Sequence, residues 1–510
     1  MIYAHLYRPA ALLVLALGTS LARAEVTLPK LLSSHMVLQR DKPIHIWGWS
    51  EPGEAISATF DGTSQSTTSD SLGRWSLYLP PHPAGGPFQL TVTSTNKVVL
   101  DDVLVGDVWF ASGQSNMEMP LEGFPGSAEV KNGAQEISNA NQPGIRLFLA
   151  DRKASPFPFS DLGTEQSWTV CSPETAAKFS AVAYFFGREV SAREHIPVGL
   201  IDSTWGGTPA EAWVSLEGLS ADASLMPVFA ARAQLVAEQA NAGLVKAAEK
   251  REDDAARSAN KPLPKHNWRP DPQSWDPSWL FNAMVAPATG YAIRGVIWYQ
   301  GESNSRSALA PTYEKLFPAL IADWRKHWHQ GNFPFLFVQI SSFASSPSEL
   351  WPVVREAQRR TLAIANSAMA VTIDVGDPNN VHPADKQTVG ARLALAARAL
   401  AYGENVEYAG PLFRQTSTDP NAIRVWFDHA GNGLVAKGAV LEGFEVAGDD
   451  HHFVAADARI DGASVIVSSP QQQRPKYVRY GWKNAPAVNL YNSAGLPASP
   501  FTSEDGIPVS

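Results

Sequence analysis

The stretch Asp107-Val108-Trp109-Phe110-Ala111-Ser112-Gly113-Gln114-Ser115-Asn116-Met117 decides how the chain is read. Apolar residues from Val103 to Ala111, interrupted at Gly106 and Asp107, lead into small residues and then a serine. A run of this kind reads as a parallel strand covered on both faces, and the sheet it belongs to presents polar residues at the strand's C-terminal edge. Ser115 stands at that edge and is the candidate nucleophile. A serine hydroxyl is a weak nucleophile, so it needs a base, a group that orients the base, and donors for the developing oxyanion.

Working outward, the rhythm of strand and helix continues on the C-terminal side. Pro197–Asp202, Gly295–Tyr299, Pro334–Ile340 and Met369–Asp374 read as further apolar strands. Helical periodicity falls at Tyr313–Trp328, Val353–Ala365 and Lys386–Ala401, and an earlier helix opens at Ser172-Pro173-Glu174 and runs through Val190. Five apolar strands with helices between them imply an α/β fold with a doubly wound parallel sheet, a flavodoxin-like three-layer arrangement. On either side the pattern turns to short alternating runs: His45–Trp49, Ala55–Phe60, Trp75–Leu79 and Phe88–Val92 before it, Ala422–Phe427, Gly443–Val446, Ser464–Val467 and Tyr477–Trp482 after it. These imply flanking antiparallel β-sandwich domains. The expected organisation is a signal peptide at 1–24, a β-sandwich at 25–102, the catalytic domain at 103–411 with a helical insertion at about 217–275, and a β-rich domain at 412–510.

At 510 residues, with 44% hydrophobic and 18% charged residues, the chain is globular and long enough for about three cores. Arg8, the apolar run Ala10–Leu17 and Ala22-Arg23-Ala24 form a secretory leader with a cleavage site after Ala24, its apolar core too short to span a bilayer. Its removal would leave a periplasmic or secreted chain more acidic than the full-length net charge of −9, a poor partner for nucleic acid, with no membrane span. Cys171 is the single cysteine, which excludes an intrachain disulfide and cysteine-rich zinc sites. No metal site and no cofactor are expected. Trp47 and Trp49 could face a sugar, though aromatics in such strands are mostly core.

Four strand ends carry residues of catalytic type. They are Ser115, then Gly206-Gly207, then Gln300-Gly301-Glu302-Ser303-Asn304, then the loop Asp374 to Pro383 with His382. His382 suits the base that takes the Ser115 proton and returns it to the leaving alcohol. The backbone N–H groups of Ser115 and Gly207, with a side-chain amide from Gln300 or Asn304, suit the oxyanion; Gln114 and Glu302 complete the candidate set around it. Each taken singly also has a plain reading: a loop histidine, a tight turn, a structural ion pair for Glu302, and a solvated turn for His451-His452. Met117 stands where the Gly-x-Ser-x-Gly elbow would have its second glycine, so that elbow is not present.

The four blocks together resemble the SGNH hydrolase superfamily. More narrowly, Val105–Trp109, Gly113–Met117, Gly206–Thr208, Trp298–Asn304 and His382-Pro383, with Met36–Arg40 near the N-terminus, resemble the sialate O-acetylesterase family and related polysaccharide acetylesterases. The resemblance spans nearly the whole mature chain. It implies an SGNH-type fold and a cofactor-independent serine esterase that removes O-acetyl groups from sugars, whether sialic acid or a plant-type polysaccharide. A carbohydrate-binding protein that keeps the fold without turnover is the alternative. The superfamily often places an aspartate two or three residues before the histidine, where this chain has Asn379 and Asn380. The orienting group is therefore Asp377, with Asp374 second and a backbone carbonyl third.

Overall fold

A computed structural model describes residues 25–163, 166–238, 240–264, 266 and 271–508. The leader expected at 1–24 lies outside them. The central sheet holds β1 (Lys97–Gly113), β2 (Gln142–Leu149), β3 (Val198–Thr204), β4 (Gly295–Tyr299), β5 (Phe335–Val338) and β6 (Ser367–Ala370). Their spatial order is β6-β5-β4-β1-β3-β2, every pair parallel, with Thr169–Cys171 adding an antiparallel edge beside β2. From β1 the chain goes out to β2, returns to β3 beside β1, crosses to β4 on the other side of β1 and winds outward to β6. That makes the C-terminal end of β1 the switch point at which such sheets open a crevice.

Both faces of the sheet are covered. Along β1 successive side chains alternate between them: Trp109 meets Phe186 of α2 (Ala181–Glu194), whereas Phe110 meets Trp324 and Trp328 of α3 (Tyr313–Trp328). Helix α4 (Trp351–Arg360) packs beside α3, and α5 (Lys386–Leu400) packs beside α2. The earlier helix differs from its expected form. It stops at Ala177, and Ser180 opens α2 as a new N-cap, its Oγ accepting from Ala183 N–H and donating to the Met117 carbonyl. A serine whose hydroxyl satisfies an otherwise unpartnered first-turn N–H breaks a periodic run in this way. Strand β2 was hidden in the sequence by Pro143 and Gly144, which read as turn residues.

The boundary expected at 102/103 falls inside a strand. Residues Lys97–Val105 of β1 pair antiparallel with Gly85–Thr93, and Asp107–Gly113 pair parallel with β3, so one 17-residue strand serves both layers. A single hydrophobic core runs through the N-terminal β-layer and the α/β layers. The C-terminal strands, from Leu412 on, enclose a core of their own around Val425, Val446, Val465 and Val478. The insertion forms two helices, Pro227–Glu238 and Ala242–Ser258. No helix among the described residues is long and apolar enough to cross a membrane.

Candidate active site

At the end of β1 the chain must turn sharply, and Gly113 is required there. Its φ is +134°, and a Cβ would lie 2.2 Å from the Tyr299 carbonyl oxygen. Gln114 continues the turn and its Oε1 accepts from the N–H groups of Gly301 and Ser303, which ties the end of β1 to the end of β4. Ser115 then begins the one-turn helix α1 (Ser115–Glu118).

The turn aims Ser115 at the loop after β6. His382 Nε2 lies 2.8 Å from Ser115 Oγ, within reach for proton transfer. The imidazole is flanked by Phe124 at 5.1 Å between ring centres. Burial, and then the positive charge of Lys386, push His382 down to about 4, so at neutral pH it stands ready as an unprotonated base.

The Gly206-Gly207 turn at the end of β3 closes on the same serine. A Cβ on Gly206 would stand 3.1 Å from Ser115 Cβ, so any side chain there would press on the nucleophile. Gly206 N–H donates to the Glu118 carboxylate, and Trp275 Nε1 donates to the Gly207 carbonyl at 2.6 Å. Among the described residues the N–H groups of Ser115 and Gly207 donate to no protein acceptor. Both are open to an oxyanion. Burial raises Glu118, against the opposing pull of Arg152 (3.0 Å) and of the Gly206 N–H.

These residues line one cleft of about 830 Å³. Its walls include Phe124, Trp205 and Trp275, with Phe343, Glu349 and Trp351, and Asp271 from the insertion. Arg306 stacks on Trp275 at 4.7 Å and has no carboxylate within ion-pair distance among the described residues.

The sequence likeness runs along nearly the full length of a relative. Sialate O-acetylesterase of Rattus norvegicus is 32% identical, and the alignment covers 92% of this chain and 93% of the rat protein. The chain belongs to the sialate O-acetylesterase family. The human sialate O-acetylesterase is 33% identical over 75% of this chain and 72% of its own. The family model described as carbohydrate esterase, sialic acid-specific acetylesterase, matches residues 228–399. A carbohydrate acetylesterase from Xanthomonas citri of known structure is 37% identical, with a TM-score of 0.80 over 94% of this chain and 100% of that one. Like these relatives, the protein is a carbohydrate O-acetylesterase.

Placing the remaining family motifs sharpens their meaning. Met36–Arg40 and Val105–Trp109 are partners. Val37–Gln39 pairs parallel with β1, Arg40 makes a two-pronged ion pair with buried Asp107 (2.9 and 3.0 Å), and Gln39 reaches both Asp107 Oδ1 and Val108 N–H. They weld the N-terminal layer to the nucleophile strand. Trp47 packs on His45 and Tyr291.

Gln300 and Asn304, expected as amide donors to the oxyanion, are fully buried and committed elsewhere. Gln300 Nε2 gives its hydrogens to Asn304 Oδ1 (2.7 Å) and the Thr208 carbonyl, and Asn304 Nδ2 donates to Glu211 (2.9 Å). Asp374 is held by Arg392 in a two-pronged pair at 2.6 and 2.8 Å. Asp377 accepts from Asn379 N–H on its own loop, and among the described residues it makes no hydrogen bond to His382. Asn380 supplies what order this loop has toward the histidine, its Oδ1 accepting from His382 N–H.

Glu302 lies at the floor of the cleft, buried, with Oε1 accepting from Asn116 Nδ2 at 2.7 Å and Oε2 without a hydrogen-bond partner. Asn116 also donates to the carbonyl of Val381, the residue before His382. Sequence reasoning passed over Asn116, Lys386 and Glu118. A signal for Lys386 was present: it is in phase with Val389, Gly390, Leu393 and Ala397, the buried stripe of α5. His451, in the turn read as solvated, pairs with Glu504 at 2.7 Å.

Proposed function

We propose that the protein is an exported serine esterase that deacetylates sugars through an acetyl-serine intermediate. The contact between Ser115 Oγ and His382 Nε2 at the floor of the cleft carries this reading. As Oγ attacks the acetyl carbonyl, Nε2 takes its proton, and the Ser115 and Gly207 N–H groups receive the oxyanion. Collapse expels the sugar alcohol, which recovers the proton from the imidazolium. Water, deprotonated by the same nitrogen, then attacks the acetyl-serine and releases acetate.

Support for the orienting group favours Glu302 over Asp377. Glu302 is buried in the floor and bound through Asn116 to the backbone that delivers His382, whereas the carboxylate of Asp377 caps its own loop. The cleft's aromatic walls suit pyranose faces, and Arg306 is free to meet the carboxylate of an acidic sugar such as O-acetyl sialic acid. The leader at 1–24 accounts for export.

Acetate release from O-acetyl sialic acid and from an acetylated neutral plant polysaccharide, by the protein and its Ser115→Ala variant, tests the reading. Release by the parent from at least one substrate, reduced by about 10³-fold or more in the variant, is expected. Equal release by both proteins would overturn it.

A further inference from the structure

A buried cation sits behind the catalytic pair, and the esterase chemistry has no step for it. Lys386, the first residue of α5, is 0% exposed. Its Nζ donates to Asn116 Oδ1 at 2.5 Å and lies 5.8 Å from the centre of the Tyr299 ring at the end of β4. Asn116 spends its whole amide in the same place: one hydrogen on Glu302 Oε1, the other on the Val381 carbonyl, its oxygen on the ammonium. Because a lysine can only donate and a carboxylate can only accept, the orientation of that amide is dictated by its partners.

Four segments meet there. They are the nucleophile helix through Asn116, the β4 end through Glu302, the histidine loop through Val381, and α5 through Lys386. An ammonium taken out of water is costly, and removing it alone would leave Asn116 Oδ1 without its donor and Glu302 buried without a cation, so stability and positioning must be read separately.

We propose that Lys386 is a positioning residue of the esterase: through Asn116 it locks the turn that carries Ser115 to the backbone that carries His382, and it keeps a positive charge behind the imidazole. The groups that face His382 are Ser115, the Phe124 ring and Asn380, with Lys386 behind. Asp377 lies on the same loop, and Asp385 is occupied with Lys131 and the Thr388 N–H. Burial lowers Lys386 to about 7, against the pull of Glu302 from the opposite side of Asn116, so its charge is fully present in the acid range where His382 titrates. The cation disfavours the imidazolium in the resting enzyme, so His382 remains a base into the acid range.

The inference rests on the Ser115–His382 reading, and its test is separable from that one. Lys386→Met and Lys386→Gln are compared with the parent for p-nitrophenyl acetate hydrolysis across pH and for thermal unfolding. In both variants the acid limb of kcat/KM is expected to move up by about one pH unit. Lys386→Met loses roughly tenfold or more in kcat with KM unchanged, and Lys386→Gln, which can still donate to Asn116, recovers part of it. Lys386→Met also lowers the unfolding temperature, because Asn116 Oδ1 loses its donor, and Lys386→Gln restores part of it. An acid limb that does not move, or a variant that loses stability but not kcat, overturns the proposal. If neither variant folds, Asn116→Ala, which cuts the link between Lys386 and the backbone of the His382 loop, is measured in their place: a fall of about tenfold or more in kcat with KM unchanged supports the proposal, and kcat within about twofold of the parent overturns it. Loss of activity on Ser115→Ala tests the underlying reading and is unaffected by either result.

Discussion

Two buried glutamate–asparagine pairs stand side by side under the same cleft, and they do different work. Glu302 accepts from Asn116, and Glu211 accepts from Asn304, at 2.7 and 2.9 Å. Burial raises both carboxylates. The first pair is joined to a cation, Lys386, and to the backbone on either side of the catalytic residues. The second is surrounded by neutral donors: Asn304 Oδ1 takes the Ala210 N–H and the Gln300 amide, and Gln300 in turn takes the Tyr313 hydroxyl. The lesson is that residue type and burial do not separate function from scaffold. What separates them is whether the network reaches the reacting atoms.

The contrast breaks most visibly at Glu302. Glu302→Gln leaves the Lys386 ammonium buried without a carboxylate and alters the group that holds the His382 loop. We expect kcat to fall by roughly 10- to 100-fold with KM little changed, measured with p-nitrophenyl acetate. Activity within twofold of the parent would place Glu302 in the scaffold with Glu211.

The smaller effect is expected at Glu211, and on stability. Burial lifts this carboxyl from 4.5 to about 7, so between those values the folded chain holds a proton that the unfolded chain has lost. Stability therefore falls as pH rises through this window, and the cost is fully present above it. Glu211→Gln, neutral at every pH, should match the parent near pH 4 and exceed it by about 2–4 kcal/mol near pH 8. Urea unfolding at the two pH values checks this, and kcat should stay within about twofold of the parent. A variant equally stable at both values relative to the parent would show that Glu211 is not a neutral buried acid.

Much of this arrangement could be read from the chain, and the gaps have physical causes. Strand β4 and helix α3 begin and end where their apolar patterns do: β4 is buried at every residue, and α3 buries one face. Pro318 lies inside α3, where it removes the N–H that would have reached the Glu314 carbonyl, yet the helix continues to Trp328. Strand β6 ends at Ala370, earlier than its apolar run, since Val371–Ile373 remain buried without pairing in the sheet. The division at 102/103 rested on a change of rhythm, but a strand long enough to pair in two layers changes neighbours without changing its own conformation. The C-terminal strands lie nearer their expected places, around a core of their own.

At the site, the residues that face the cleft were legible from strand ends, because that is where a doubly wound sheet exposes polar groups. Ser115, Gly207 and His382 meet there. The residues behind them were not, since Asn116 reads as a turn residue and Lys386 as a helix start. Gln300 and Asn304 were read by type as donors toward substrate, and their partners are known only once Thr208, Glu211 and Tyr313 are brought beside them.

The most direct test of the central claim is covalent. The protein is mixed with p-nitrophenyl acetate, quenched in acid within the first turnover and digested, and the peptides are analysed by mass spectrometry. The acetyl group should be found as an ester on Ser115, and His382→Ala should abolish its formation. An acetyl group on another side chain, or p-nitrophenol released in full with no acetyl-enzyme at any quench time, would contradict the acetyl-serine mechanism.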